Sequence, residues 1–187
     1  EYTDAFFVSN SQMKDALCEY GVDSSKVFVT GIPLSDRFFE NFDKEAIFKE
    51  FDLDSSKPVI LFFGGGEFGL GKDATLRILE AIIHNLPTYQ IVAISGKNKK
   101  MNQKFIDLVA ETNSAQRVRV LEYTNKVPEL MNISTLVVTK PGGLTTSESL
   151  ASDLPILVIN PIPGQEVENA EFLESKGIAV WIKKNDN

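Results

Sequence analysis

The chain has 187 residues, 43% of them hydrophobic and 24% charged, which is enough length and apolar content to close the core of one globular domain. Its net charge of −7 argues against a broad nucleic-acid footprint and offers no grip on an anionic membrane surface. One cysteine, Cys18, excludes an internal disulfide and points to a reducing, cytoplasmic setting. Cys18 itself falls in a helical pattern and is expected to be a small packing residue.

Taken in order, apolar, β-branched or aromatic runs fall at residues 6–8, 27–29, 59–63, 91–94, 118–121, 136–138, 156–159 and 178–181. Helical patterns fill the intervals at 11–20, 44–51, 73–85, 100–112, 127–131, 145–152 and 166–175. Continuous apolar strands separated by helices predict a parallel sheet covered on both faces, a doubly wound α/β fold. No run approaches the length of a membrane-spanning helix and no signal peptide opens the chain. The chain opens on Glu1, close to its first strand, and closes on KKNDN soon after its last. Both ends read as cuts in a longer protein. The stretch GIPLSDRFFEN (31–41) leaves a strand without hydrophobic periodicity and marks a boundary.

The chemistry concentrates in TKPGGLTTSESLASDLPILVINPIPGQEVENA (139–170). A strand running through a Gly-Gly turn straight into a helix offers unpaired N–H groups and a favourable dipole, a site suited to a phosphate-bearing ligand. Thr145-x-x-Glu148 also reads as a capping box, which would set Glu148 in the first helical turn. A second glycine loop, LFFGGGEFGLGK (61–72), contains G-x-G-x-x-G at Gly64, Gly66 and Gly69. The dinucleotide fingerprint needs an acidic residue at the end of the next strand, and Ile94-Ser95-Gly96-Lys97 has none. The P-loop spacing Gly66-x4-Gly71-Lys72 fails because Asp73 replaces the Ser or Thr that would hold Mg²⁺. What remains is a side-chain-free loop at the C-terminal edge of a strand.

Three stretches in this order, GIPLSDRF (31–38), LFFGGGEFGLGK and KPGGLTTSESL with NPIPGQEVENA, resemble the donor-site signature of family 28 glycosyltransferases. Within that family the likeness is to processive diacylglycerol glucosyltransferases and monogalactosyldiacylglycerol synthases. The resemblance implies the GT-B fold, two Rossmann-like domains facing across a cleft, and an inverting reaction that needs no metal or other cofactor. It implies that residues 1–30 are the tail of an N-terminal acceptor domain, 31–43 the interdomain linker and 44–187 the UDP-sugar donor domain. Gly64, Gly65, Gly66 and Glu67 would border the donor diphosphate. Gly142 and the amides of Gly143, Leu144 and Thr145 would hold it, with Lys140 as either a counter-charge or a snorkelling strand-end lysine. Glu148 would accept hydrogen bonds from both ribose hydroxyls. Gln165, Glu166 and Asn169 would read the sugar, although a first helical turn favours glutamate in any case. Tyr123 and Thr124 would lie at the uracil, or be ordinary loop residues.

The resemblance also implies partners: a UDP-hexose donor, a lipid acceptor such as diacylglycerol, and a membrane surface met only through the absent domain, with the full protein peripheral on the cytoplasmic face. It assigns no catalytic residue to this chain, since the family's candidate base belongs to the N-terminal domain. Ser35 stands where the peptidoglycan relatives have an arginine, so no role of that arginine carries over. Two alternatives stand beside this reading, a UDP-sugar 2-epimerase domain and a stand-alone donor-binding subunit of a split transferase. His84 is expected on a helix surface, and Asp52-Leu53-Asp54 in a turn rather than at a metal.

Overall fold

In the computed structural model, residues 3–64 and 72–183 are described. The chain forms two compact units, Glu1–Asp36 and Arg37–Asn187. Each expected strand and helix is present, with ends within about two residues of those read from the sequence. Among the described residues, no helix is long and apolar enough to cross a membrane.

The first unit is a small β-α-β element. Strands β1 (Phe6–Val8) and β2 (Val27–Val29) pair in parallel, with Phe6 opposite Val27 and Val8 opposite Val29. Helix α1 (Ser11–Glu19) joins them, its N-terminus capped by the Asn10 side chain, which accepts from the Met13 N–H. The exposed rings of Phe7 and Phe28 stack 5.7 Å apart on one face of the pair. A 3-10 turn at Ser24–Lys26, capped by Asp23, leads into β2. It is too short to show as periodicity in the sequence.

The second unit is built on a six-stranded parallel sheet. Its strands are β3 (Val59–Phe63), β4 (Gln90–Ile94), β5 (Val118–Leu121), β6 (Leu136–Thr139), β7 (Ile156–Val158) and β8 (Ala179–Trp181), in spatial order β5-β4-β3-β6-β7-β8. Alternate residues of the central strands face opposite layers, as the two-residue period of a strand requires. Ile60, Phe62, Ile91 and Ala93 pack with Leu79 and Ile83 of α3 (Lys72–Asn85) and with Met101 and Phe105 of α4 (Lys99–Glu111). Val59, Leu61, Val92 and Val137 pack with Ile47 of α2 (Lys44–Glu50) and with Leu130, Met131 and Ile133 of α5 (Val127–Ile133). Helix α6 (Gly143–Ala151) links β6 to β7, and α7 (Gln165–Ser175) packs Ala170 and Leu173 on Ile156 and Val158. Central strands buried on both faces explain why their sequences read as unbroken apolar runs.

This order creates one special place. From β3 the chain proceeds through α3 to β4 on one side, and from β6 through α6 to β7 on the other. The winding therefore reverses between β3 and β6, and such a reversal is the usual position of the ligand crevice in open α/β sheets.

Candidate functional site

The described site residues expected from the sequence follow the C-terminal ends of β3, β5, β6 and β7, in the loops there or in the first two turns of α6 and α7, while Gly65, Gly66 and Glu67 fall outside the described residues. At the end of β3, Gly64 continues the ladder, its N–H donating to the Ile94 carbonyl at 3.0 Å. A Cβ at Gly64 would stand 2.1 Å from Cζ of Phe105. The core ring of α4 thus occupies the space a side chain would need.

Across the switch point, β6 ends at Thr139 and the chain tightens at once. The Gly142 N–H donates to the Lys140 carbonyl at 2.8 Å, and Gly142 takes the N-cap position with φ −68 and ψ 139. No side chain caps this helix. The Thr146 N–H closes the first turn on the Gly142 carbonyl at 3.0 Å. The N–H groups of Gly143, Leu144 and Thr145 precede that bond, so they lack intrahelical acceptors and point along the axis past the strand end. Such amides, with the positive end of the helix dipole, are chemically suited to an anion. A Cβ built on Gly142 meets nothing within 4 Å. The fold itself therefore does not demand glycine there.

The capping-box expectation is corrected by this geometry. Helix α6 starts two positions before Thr145, so Thr145 is already its third residue. Glu148 is consequently in the second turn, not the first. It is half-buried, and burial pushes its carboxyl above the usual range. Lys140 is also half-buried, at the end of β6.

The β7–α7 loop is held by the side chains singled out in the sequence. Oε2 of Glu166 accepts from the Ile162 N–H at 2.7 Å, closing the loop onto the start of α7. Nδ2 of Asn169 donates to the Pro141 carbonyl at 2.9 Å, tying α7 to the turn that opens α6. Gln165, the first residue of α7, is exposed. Asn160, just after β7 with a left-handed φ of 43, has a buried Nδ2 without a hydrogen-bond partner. In the sequence Asn160 stands only as part of a motif, because an unsatisfied donor is a property of packing.

At the β5 end, Tyr123 is 68% exposed, with the Lys97 ammonium 5.6 Å from its ring centroid. The Thr124 hydroxyl accepts from the Lys126 N–H at 3.1 Å. Asp52, with φ 51, pairs with Arg119, while Asp54 accepts from the Ser56 N–H at 3.0 Å, so this acidic pair belongs to a turn. His84 stands exposed on α3 near Glu80. Among the described residues, no group of three or more His, Cys, Asp or Glu side chains could hold a metal.

A family model described as the glycosyltransferase family 28 C-terminal domain matches residues 59–187. The chain is similar to the processive diacylglycerol beta-glucosyltransferase of Staphylococcus epidermidis, 41% identical over 176 residues, covering 94% of this chain and 44% of that protein. The chain thus spans about half the length of the curated relatives it matches. Among solved structures, WaaG, a glycosyltransferase involved in lipopolysaccharide biosynthesis, aligns with a TM-score of 0.64 at 17% identity, over 99% of this chain and 50% of that one. The UDP-GlcNAc 2-epimerase from Neisseria meningitidis, bound to UDP-GlcNAc, aligns at 0.68 with 23% identity, over 93% of this chain and 52% of that one. These two likenesses concern the fold alone.

Proposed function

The chain belongs to glycosyltransferase family 28, through that family's C-terminal domain, and from that premise we propose that it binds a UDP-hexose donor across the crevice between β3 and β6. The observation that carries this reading is the uncapped start of α6 beside an open Gly142. The amides of Gly143, Leu144 and Thr145 receive the diphosphate, and Lys140 adds positive charge. Glu148 accepts from the ribose hydroxyls, two acceptors in one plane meeting two vicinal donors. Tyr123 and Thr124 border the uracil, Gly64 to Glu67 flank the diphosphate, and Gln165, Glu166 and Asn169 lie toward the sugar.

The reaction proposed for the whole protein is an inverting displacement onto a lipid acceptor such as diacylglycerol, the lipid for which its 41% identical relative is named. A base from an acceptor domain removes the acceptor hydroxyl's proton as that oxygen attacks the anomeric carbon opposite UDP. This chain's part is to hold the donor in line and to stabilise the negative charge that develops on the departing diphosphate. Fixed amides can do so without reorganising and without a metal. Residues 1–30 then belong to the acceptor domain and 31–43 to the linker, with the full protein peripheral on the cytoplasmic face of a membrane.

Isothermal titration tests the donor assignment. UDP or a UDP-hexose binds, and GDP and ADP bind much more weakly. Glu148→Ala weakens UDP binding roughly ten- to a hundredfold, the range for hydrogen bonds to a charged group, with the melting temperature retained. Unchanged affinity in that variant refutes the ribose assignment.

A further inference from the structure

Arg37 is the first residue of the second compact unit and lies in the 3-10 turn Asp36–Phe39. Its Nη1 donates to the Asn125 carbonyl at 2.7 Å, and its Nη2 pairs with Oε1 of Glu129. Glu129 sits in the first turn of α5 with its side chain only 13% exposed. The other carboxylate oxygen, Oε2, is buried and has no hydrogen-bond partner. Loss of the guanidinium would therefore strand a largely buried charge, which costs more than the loss of the pair's own attraction. The loop it grips runs from the end of β5 to the start of α5 and carries Tyr123 and Thr124. That loop is held from a second side by Lys126, which pairs with Glu50 of α2. A guanidinium presents two donors in a fixed fork, so one side chain sets both the Asn125 carbonyl and the Glu129 carboxylate; a lysine can reproduce only one of these contacts well.

We propose that Arg37 is a positioning residue for the nucleoside end of the donor site, holding the 122–126 loop in the shape that receives the base. The inference rests on the donor-site reading given above. It concerns the β5 end of the sheet edge, whereas the diphosphate end is built on the turn between β6 and α6.

The test is titration of UDP and of ADP into the protein and into Arg37→Ala and Arg37→Lys, with ADP followed by competition up to about millimolar concentration. ADP shares the ribose and diphosphate but not the base. Arg37→Ala binds UDP roughly tenfold more weakly, within the usual span of coupling between sites, and ADP within about twofold of the parent. The preference for uridine therefore shrinks. Arg37→Lys, which keeps the charge facing Glu129, falls between parent and alanine variant. Should the alanine variant fail to fold, the lysine variant carries the same readout at roughly threefold. UDP affinity equal to the parent's overturns the proposal, as does an equal proportional loss for both nucleotides, the mark of general destabilisation. A parent protein that binds no UDP at all is a separate result that overturns the donor-site reading, and this inference with it.

Discussion

Gly64 and Gly142 lie at the ends of adjacent strands, yet they are small for different reasons. At Gly64 the reason is internal, since a Cβ would stand 2.1 Å from the Phe105 ring. Gly64→Ala is expected to cost about 1–3 kcal/mol of stability, as overpacking a filled core does, read as a lower midpoint in urea. At Gly142 no internal reason exists, and φ −68 suits any residue. Gly142→Ser should change stability by only about a few tenths of a kcal/mol, because serine is itself a good N-cap. Its hydroxyl would nevertheless accept from the amides proposed for the diphosphate, so UDP affinity should fall; unchanged affinity would remove the diphosphate from this turn. Glu148 gives a pH prediction. Burial raises its carboxyl in the folded state, so the fold binds a proton more readily than the unfolded chain, and this group's contribution lessens stability as pH rises through that window. Glu148→Gln should therefore melt higher than the parent at neutral pH and converge with it below about pH 4. A variant that melts lower at neutral pH would contradict this. Glu148 could be named from the sequence because its carboxylate is a side chain. The three amides beside it are backbone, and only their geometry distinguishes them from other peptide groups.

Helix α6 shows where pattern reading stopped. Its existence is legible from the strand–glycine–helix order, but its start is not, because Thr145-x-x-Glu148 imitates a capping box while Gly142 takes the N-cap position with no side-chain cap. The turn at Asp36–Phe39 carries no periodicity in the sequence, and its role lies in the contacts of Arg37 with Asn125 and Glu129. Sequence separation hides such a contact. Helix α7 and the turn before α6 are joined by Asn169, through the Pro141 carbonyl. Asn169→Ala should cost about 1 kcal/mol, the worth of one hydrogen bond, or a fall of about 2–4 °C in melting temperature for a domain of this size. It should also weaken UDP binding by loosening that turn. A loss of stability with affinity intact would confine Asn169 to a packing role.

For the molecule as a whole, the doubly wound sheet was the most legible feature, since burial on both faces writes β3, β4 and β6 as uninterrupted apolar runs. Strand order was not legible, and it sets the end of β3 at Gly64 beside the end of β6 at Thr139, where the winding reverses. The chain spans about half the length of the curated relatives it matches. The most direct test is a crystal structure of the protein with UDP. The account predicts the diphosphate on the amides of Gly143, Leu144 and Thr145, with the ribose against Glu148. UDP bound elsewhere, or a crevice left empty at saturating nucleotide, would contradict it.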